Sequence, residues 1–335
     1  MKEISRKKFL RVCGTLVAGG AVAGVSGVLI DRNRKASSPS GKSLRLVEEN
    51  TFVPPYRLVS SFTSTESISG LAQLDDELFV AASNTVSVFD AKGGLLHQFQ
   101  AVEDIIRDIA VDAKSIYLLH PAKISVYSHE GEPIRAWEAC SELSNYCTFA
   151  LTPGFVFVTD MDNKNICKYT DEGSFVMFIH SPNKFIIPSL TFGIEYIDNK
   201  LYCSNSGRHQ VEMYTLEGEY LGSFGKPGGA PGLFTGCCNP VYISQTSNGD
   251  VITSEKGDPR ISCYGSDGSF RSLLLDSKSL GGGNTAYDVK VWKDKLFVAG
   301  KNKVSIYRYD TALAAHAGAC GGCGIDCPLR TGITV

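Results

Sequence analysis

The sequence predicts an all-β protein, a six-bladed β-propeller. One strand-and-turn pattern recurs at intervals of about forty residues, the spacing of propeller blades. Each copy also ends a strand with an aromatic residue, which in five of the six copies precedes a turn glycine. The pairs are Phe89 with Gly94, Tyr127 with Gly131, Tyr169 with Gly173, Tyr214 with Gly218, and Tyr264 with Gly268. Tyr307 ends a sixth copy without a glycine. Glycine accepts the positive φ of a tight hairpin turn, and the aromatic ring is expected to pack between neighbouring sheets.

The clearest copy runs from residue 214 to residue 255, YTLEGEYLGSFGKPGGAPGLFTGCCNPVYISQTSNGDVITSE. Its β-rich runs are separated by a Glu-Gly turn, a long Gly/Pro loop and an Asn-Gly turn, which are signals of hairpin connections. A single copy would leave unpaired sheet edges, and repetition around a ring covers them.

Two segments of the chain resemble NHL repeats. GSFGKPGGAPGLFTGCCNP followed by VYISQTSNGDVITSE is similar to one half of that pattern. VFVTDMDNKNICKYTDEGSFV is similar to the other half, with Asp160, Asn163 and Lys164 in the loop before the strand that ends at Tyr169. The resemblance covers about residues 56 to 310 and implies a six-bladed propeller. NHL propellers include scaffolds, lyases and ligand binders, so the family implies a fold more firmly than a function.

Residues 1–30 are laid out as an export signal. A basic head precedes nineteen uncharged residues from Val12 to Ile30, and Ser5 to Leu10 resembles a twin-arginine signal in which Lys7 replaces the second arginine. The apolar run would extend roughly 28 Å as a helix, close to a bilayer core. We therefore expect an extracytoplasmic, periplasmic-side protein. It is either anchored in the membrane through residues 12–30 or cleaved near Ala21 to Ala23.

Residues 31–55 form a Ser/Pro/Gly-rich linker, and the propeller occupies residues 56–310. The segment 56–62 resembles the outer strand at 219–224, and the sixth copy stops at Asp310 without an outer strand of its own. Residues 57–62 are therefore predicted to complete the sixth blade. The incoming chain near Tyr56 and the outgoing chain after Asp310 should then lie on the same face.

The opposite face is predicted to carry the linkers between blades and the loops that join second and third strands. We call it the upper face. It should contain the loops 160–165, 204–210 and 255–260, together with residues 225–240. Four polar residues there are candidates for binding: Asn239, Glu255, Lys256 and Arg260.

The tail, residues 311–335, contains Cys320, Cys323 and Cys327 followed by Pro328. Bacterial ferredoxins use a similar cysteine spacing, with one more cysteine upstream, to hold an iron–sulfur cluster. His316 is the nearest candidate for a fourth ligand. Zinc on three cysteines and one histidine is an alternative, as is a disulfide with a free thiol.

Other cysteines offer further possibilities. Cys237 and Cys238 could close a vicinal disulfide, bind a soft metal, or simply cap the core of their blade. Cys140 and Cys147 lie on a short linker and are a candidate structural disulfide.

The net charge of −2 gives no reason to expect a nucleic-acid partner. An enzyme of this fold would use the channel or the upper face, where Asp108, Glu195, Asp288, His120 and His209 are candidates, as in metal-dependent propeller lyases or hydrolases. No phosphate loop, nucleophile elbow or metalloprotease helix is present. The favoured interpretation is a membrane-tethered docking platform for a protein partner, accessory to an electron-transfer system. A purely structural interaction domain is the third possibility.

Overall fold

The structure is a computed structural model that describes residues 54–103 and 105–316. Within these residues, the strands form six antiparallel sheets of four strands each. The predicted export signal or anchor, residues 31–53 of the predicted linker and the cysteine tail from residue 317 lie outside the described residues.

Each sheet is one blade, and the first five are built from consecutive strands. Blade 1 contains β2 (Ile68–Leu74), β3 (Glu77–Ala82), β4 (Thr85–Asp90) and β5 (Leu95–Gln100). Blade 2 contains β6 (Asp108–Val111), β7 (Ile116–His120), β8 (Lys123–Tyr127) and β9 (Pro133–Glu138). Blade 3 contains β10 (Tyr146–Thr152), β11 (Phe155–Asp160), β12 (Asn165–Thr170) and β13 (Phe175–Ile179).

Blade 4 contains β14 (Ile194–Ile197), β15 (Lys200–Asn205), β16 (Gln210–Tyr214) and β17 (Tyr220–Phe224), with a 3-10 turn at Ser206–Arg208. Blade 5 contains β18 (Tyr242–Gln245), β19 (Val251–Ser254), β20 (Ile261–Tyr264) and β21 (Phe270–Leu275). Blade 6 contains β22 (Asp288–Trp292), β23 (Lys295–Gly300), β24 (Lys303–Tyr309) and, as its fourth strand, β1 (Tyr56–Thr63). A short helix, α1 (Thr311–His316), follows.

The blades stand in a closed ring around a central channel. The innermost strands β2, β6, β10, β14, β18 and β22 each contact the next, and β22 contacts β2. In blade 6, β1 pairs with β24 from Tyr56 opposite Tyr309 to Thr63 opposite Lys303. The N–H of Asp310 also donates to the carbonyl oxygen of Pro55 at 2.9 Å. The described chain thus begins and ends its propeller at the same face.

The hydrophobic core lies between the blades rather than inside any one of them. Each of the six buried clusters combines side chains from two neighbouring sheets. Cys167 and Trp137, for example, share the cluster between blades 2 and 3, whereas Cys147 and Cys203 share the cluster between blades 3 and 4. A sheet can therefore bury both its faces only when it has a neighbour on each side.

The repeat marker has a clear packing role. Phe99 in the outer strand of blade 1 packs on Tyr127 of blade 2, with ring centroids 5.4 Å apart. A Cβ on the turn glycine Gly131 would lie 2.4 Å from Phe99. In the same way, Trp137 packs on Tyr169 and lies against Gly173, and Phe224 packs on Tyr264 and lies against Gly268. The aromatic residue and the glycine are thus both required by contact with the preceding blade.

One turn glycine differs from the sequence prediction. In blade 1 the positive φ, 87°, belongs to Gly93 and not to Gly94. Oδ1 of Asp90 accepts the N–H groups of Lys92 and Gly94 at 2.8 Å, and this closes the turn one residue earlier. With this correction the glycine stands four residues after the aromatic in all five marked blades.

Candidate functional site

The strand order determines which loops share a face. Neighbouring strands in each sheet are antiparallel, so linkers between blades and loops joining second to third strands lie together on the upper face. The linkers are residues 64–67, 101–107 (of which residue 104 lies outside the described residues), 139–145, 180–193, 225–241 and 276–287. Hairpin turns between the first and second strands, and between the third and fourth, lie on the lower face with α1.

Glu255 and Arg260 form a buried pair at the base of the upper face. Arg260 Nη2 lies 2.9 Å from Glu255 Oε2, and the two side chains are 7% and 1% exposed. The same carboxylate accepts the N–H and the hydroxyl of Thr235, at 2.7 and 3.0 Å. Arg260 also donates to the carbonyl oxygens of Gly229 and Leu233. The pair therefore holds the linker 225–241 against blade 5.

Asn239 and Lys256 extend this network. The Asn239 amide donates to the carbonyl oxygens of Thr235 and Lys256, at 2.7 and 2.9 Å, and its oxygen accepts the N–H of Lys256 at 2.9 Å. Lys256 Nζ donates to Ser189 Oγ in the neighbouring linker at 3.0 Å. The four predicted binding residues therefore lie together, with their polar groups engaged in holding the loops of the upper face.

The upper face also exposes large hydrophobic side chains, which sequence reasoning missed. Among the described residues, the exposed large hydrophobics fall into two groups. One lies on outer strands such as β5, β13 and β17. The other lies on three consecutive linkers and consists of Val102, Ile105, Leu143, Ile186 and Leu190, which are 44% to 75% exposed. We call these five residues the apolar linker patch. The feature of the sequence that could have identified these residues is the presence of apolar residues within the predicted linkers.

The lower face contrasts with this patch. In the turns of the described chain, its exposed side chains are polar or small, such as Asp75, Asp76, Lys114, Glu217 and Asp294. None of the described large exposed hydrophobics lies in a lower-face turn. The two faces of the ring therefore differ in chemistry.

The second candidate site is the central channel, which contains a cavity of about 500 Å³. Asp108, Glu195, Asp288 and Lys290 line it, together with Tyr242. Lys290 Nζ lies 3.6 Å from Glu195 Oε2. Asp288 accepts the N–H of Leu71 at 2.7 Å, from the inner strand of the next blade. Acidic residues from three alternate blades thus converge on the axis.

This environment changes the ionisation of the channel groups. Burial and the neighbouring Asp288 raise the pKa of Asp108 to about 8. Burial also raises the pKa of Glu195. For Lys290, burial acts to lower the pKa, but the carboxylates of Asp288, Glu195 and Asp108 raise it overall. At neutral pH the channel can therefore offer a protonated carboxyl group beside an ammonium group, a set able to bind a polar ligand or transfer a proton.

The two candidate histidines lie away from the channel lining. His120 is buried beneath the linker 101–107, where Nδ1 lies 2.6 Å from the carbonyl oxygen of Ile105 and Nε2 lies 2.6 Å from Ser125 Oγ. His209 is hydrogen-bonded through Nε2 to the carbonyl oxygen of Gly236 at 2.8 Å. Both histidines therefore help to fix upper-face linkers.

Cys140 and Cys147, the predicted disulfide candidate, each have a different cysteine as a neighbour, and their pairing remains a prediction. Cys140 Sγ lies 3.7 Å from Cys167 Sγ, at the junction of blades 2 and 3. Cys147 packs on the other side of blade 3, in the cluster with Cys203. The register of β10 shifts between Tyr146 and Phe149, so Cys147 turns away from the linker that carries Cys140.

Cys237 and Cys238 are brought together by their adjacency. Their sulfur atoms lie 3.4 Å apart as free thiols, with Cys237 exposed and Cys238 buried. The contact with the Cys238 thiol is the main cause of the raised pKa of Cys237. The pair lies in the linker that Glu255 and Arg260 hold in place.

The predicted tail site lies mostly outside the described residues. His316 ends α1, of which only the backbone is described at that position, and Cys320, Cys323 and Cys327 lie beyond it. Within the described part of the chain, no group of three or more His, Cys, Asp or Glu residues is placed to hold a metal ion. The same part contains no helix that is both long and apolar enough to cross a membrane.

Comparisons with known proteins show the fold. No protein-family model matches the chain, and no curated protein sequence matches it. Among solved structures, a streptogramin B lyase is similar with a TM-score of 0.56 and 16% identity, over 76% of this chain and 98% of that one. A catalytically inactive variant of virginiamycin B lyase from Staphylococcus aureus, solved with quinupristin, is similar with a TM-score of 0.54 and 14% identity. The match covers 76% of this chain and 99% of that one.

A third similar structure is the WD40 β-propeller domain of Doa1, with a TM-score of 0.52 and 12% identity over 77% of this chain and 98% of that one. All of these identities are low, and the structures include both enzymes and a WD40 domain. Similarity at this level shows a common fold and leaves function open. The chain is therefore a six-bladed β-propeller, and the resemblance to NHL repeats remains a prediction.

Proposed function

We propose that this protein is a docking platform whose upper face binds a protein partner. The observation that carries the proposal is the apolar linker patch, five exposed hydrophobic side chains on three consecutive linkers of one face. Exposed apolar groups gathered on one surface commonly mark an interaction site. The polar lower face of the described chain serves as an internal comparison.

The linkers that carry the patch are held firmly. Arg107 donates to Asn145 and to the carbonyl oxygen of Tyr146, and this joins the first linker to the second. The N–H of Ile106 donates to the carbonyl oxygen of Ser83 at 2.8 Å. The N–H of Ile186 donates to Asn205 Oδ1 at 2.9 Å. A surface fixed in this way loses little conformational entropy when it binds, which favours affinity.

The proposal extends to the parts of the chain outside the described residues. We place the protein on the extracytoplasmic side of a membrane, exported by a twin-arginine-type signal and tethered through residues 12–30. The propeller begins and ends at the lower face, so a tether would join the propeller at that face. This arrangement is supported by the hydrogen bond between Asp310 and Pro55.

The tail would add a redox function to the platform. Cys320, Cys323 and Cys327 would hold an iron–sulfur cluster, with His316 or an outside residue as the remaining ligand, and zinc is the alternative metal. The partner would then be a redox protein. Anaerobic purification of the full chain followed by iron, zinc and acid-labile sulfide analysis tests this part. Absence of iron, zinc and sulfide would remove the redox function and leave the docking proposal standing.

Site-specific photocrosslinking in the native host tests the docking surface. A photoreactive amino acid at Leu143 or Leu190 should yield a discrete crosslinked partner, whereas the same probe at Asp76 or Lys293 on the lower face should not. Asp76 and Lys293 are both highly exposed, so the control positions are as accessible as the test positions. Equal crosslinking from both faces, or from neither, would contradict the assignment.

The channel supports a second candidate function, the binding or turnover of a small polar molecule, as in a propeller lyase or hydrolase. The observation in its favour is the convergence of Asp108, Glu195, Asp288 and Lys290 on a cavity of about 500 Å³. Calorimetric titration with calcium and with zinc, comparing the wild type with Glu195→Gln, tests it. Binding of either ion that is lost in the variant supports this function, and absence of binding to the wild type argues against its metal-dependent form.

A further inference from the structure

Two thiols face each other where blades 2 and 3 meet on the upper face. Cys140 lies in the linker 139–145 and is exposed, whereas Cys167 lies in β12 and is buried. Their sulfur atoms are 3.7 Å apart although 27 positions separate them in sequence. The contact therefore joins a linker to a blade.

Hydrogen bonds hold both partners in position. The N–H of Cys140 donates to the Tyr169 hydroxyl at 3.0 Å, and that hydroxyl lies 2.5 Å from the hydroxyl of Tyr146. The Cys167 thiol donates to Asn165 Oδ1 at 3.4 Å. On the linker itself, the N–H of Ala139 donates to the carbonyl oxygen of Ala122 at 2.9 Å. The sulfur–sulfur contact is thus set by the surrounding structure.

We propose that Cys140 and Cys167 are a site of reversible oxidation that forms a disulfide between the linker 139–145 and blade 3. The co-substrate is a small disulfide such as oxidised glutathione. The sulfurs need to close from 3.7 Å to about 2 Å, which is a side-chain adjustment within one packed contact.

The chemistry follows from the difference in exposure. The thiolate of Cys140, which solvent reaches, attacks one sulfur of the small disulfide, forms a mixed disulfide and releases one thiolate. Cys167 then loses its proton and attacks Cys140 Sγ, and the second small thiolate leaves. Two protein thiols are oxidised to one disulfide, the small disulfide is reduced to two thiols, and the two protein protons go to the leaving thiolates.

Burial distinguishes the roles of the two residues. Burial raises the pKa of Cys167, so this thiol is a poor first nucleophile and acts as the resolving partner. Once formed, the Cys167 side of the bond is shielded from small reductants. No other thiols of the described chain combine exposure with a close partner from a separate segment, since Cys237 and Cys238 are adjacent in sequence. Oxidation of this pair is inferred independently of the proposed docking function.

The test uses the full-length chain, purified with all thiols reduced and then treated with oxidised glutathione without denaturant. The protein is then denatured so that all remaining free thiols, including the buried ones, are alkylated, and it is digested for peptide mapping by mass spectrometry. We expect a peptide in which Cys140 is linked to Cys167, and its yield should be unchanged in Cys237→Ser. In Cys167→Ser we expect glutathione to remain on Cys140, because the resolving thiol is gone.

Three results would overturn the assignment: wild-type Cys140 retaining glutathione while Cys167 is alkylated, Cys140 linked to a different cysteine such as Cys147, or both thiols staying free. If Cys167→Ser does not fold, the wild-type map decides between these outcomes without it. A Cys140→Ser variant, altered at an exposed position, should leave Cys167 alkylated.

Discussion

At the residue scale, Glu255 and Arg260 form a buried ion pair at the upper face. Glu255→Gln should lower the free energy of unfolding by about 3–5 kcal/mol, because Arg260 would remain as a buried charge without its partner. The matched control is Asp76→Asn, which breaks the exposed Asp76–Lys293 pair and should cost about 1 kcal/mol or less. Chemical denaturation measures both, and equal losses would show that the buried network does not hold the linker.

The raised pKa of Asp108 leads us to expect that the stability of the protein depends on pH. The folded-state pKa of Asp108, about 8, lies above 3.8, the usual value for an exposed aspartate. Between these values the unfolded chain has released the proton while the folded protein keeps it, so this group lowers stability as pH rises from about 4 to about 8. Above that range the penalty is complete.

Asp108→Asn should therefore gain stability relative to the wild type as pH rises through this window. Any change that altered hydrogen bonds make to the unfolding free energy of the variant does not vary with pH. Denaturation midpoints measured at pH 5 and pH 8 for the wild type, Asp108→Asn and Asp76→Asn provide the check. If the wild type and Asp108→Asn follow parallel pH profiles, the carboxyl group is not held protonated in the channel.

At the element scale, the turn between third and fourth strands depends on contact with the preceding blade. Gly173 and Gly154 both have positive φ, 92° and 79°, but a Cβ on Gly173 would lie 2.6 Å from Trp137 whereas a Cβ on Gly154 meets nothing within 4 Å. Both positions therefore require a residue that tolerates positive φ, but only the position of Gly173 also lacks space for a side chain.

Gly154→Ala should cost about 1–2 kcal/mol for the left-handed conformation alone. Gly173→Ala should cost roughly 1–3 kcal/mol more, because Trp137 must move. Equilibrium unfolding of both variants measures the difference. Equal costs would mean that the aromatic residue and the turn glycine do not interlock the blades.

The same element shows how far the sequence could predict the fold. The spacing of Tyr127 and Gly131 predicted the blade because local turn geometry and a contact repeated between blades require these two residue types. The contact partner, Phe99, belongs to the preceding blade, and its role became visible only in the assembled ring. The one-residue error at Gly94 arose because the hydrogen bonds of Asp90 select Gly93 for the positive φ.

The sites were less predictable than the fold, for physical reasons. The alternation of side chains along a strand does not predict which face of blade 3 carries Cys147, because the register of β10 shifts between Tyr146 and Phe149. The Cys147 side chain packs toward blade 4. The burial of Glu255 and Arg260 depends on how the linker 225–241 folds over them, which local sequence patterns do not show. The residues of the apolar linker patch lie in linkers that the sequence predicted, but their exposure is visible only in the folded ring.

At the scale of the whole molecule, the propeller depends on pairing between its first and last strands. A chain that begins at Pro54 should fold as a monomer. A chain that begins at Ser64 lacks β1, which leaves β24 as an unpaired edge, and it should aggregate. Size-exclusion chromatography with light scattering compares the two. Monomeric behaviour of the shorter chain would show that the ring is stable without this pairing.

The central claim is that the upper face binds a protein partner through the apolar linker patch. Once photocrosslinking has identified the partner, its affinity for the double variant Leu143→Ser, Leu190→Ser is the direct measurement. We expect a loss of roughly 100-fold in affinity, because two leucine side chains no longer leave water on binding. Leu95→Ser, Leu221→Ser changes two leucines of similar exposure on outer strands and should bind like the wild type. Wild-type affinity of the upper-face variant, or an equal loss in both variants, would contradict the claim.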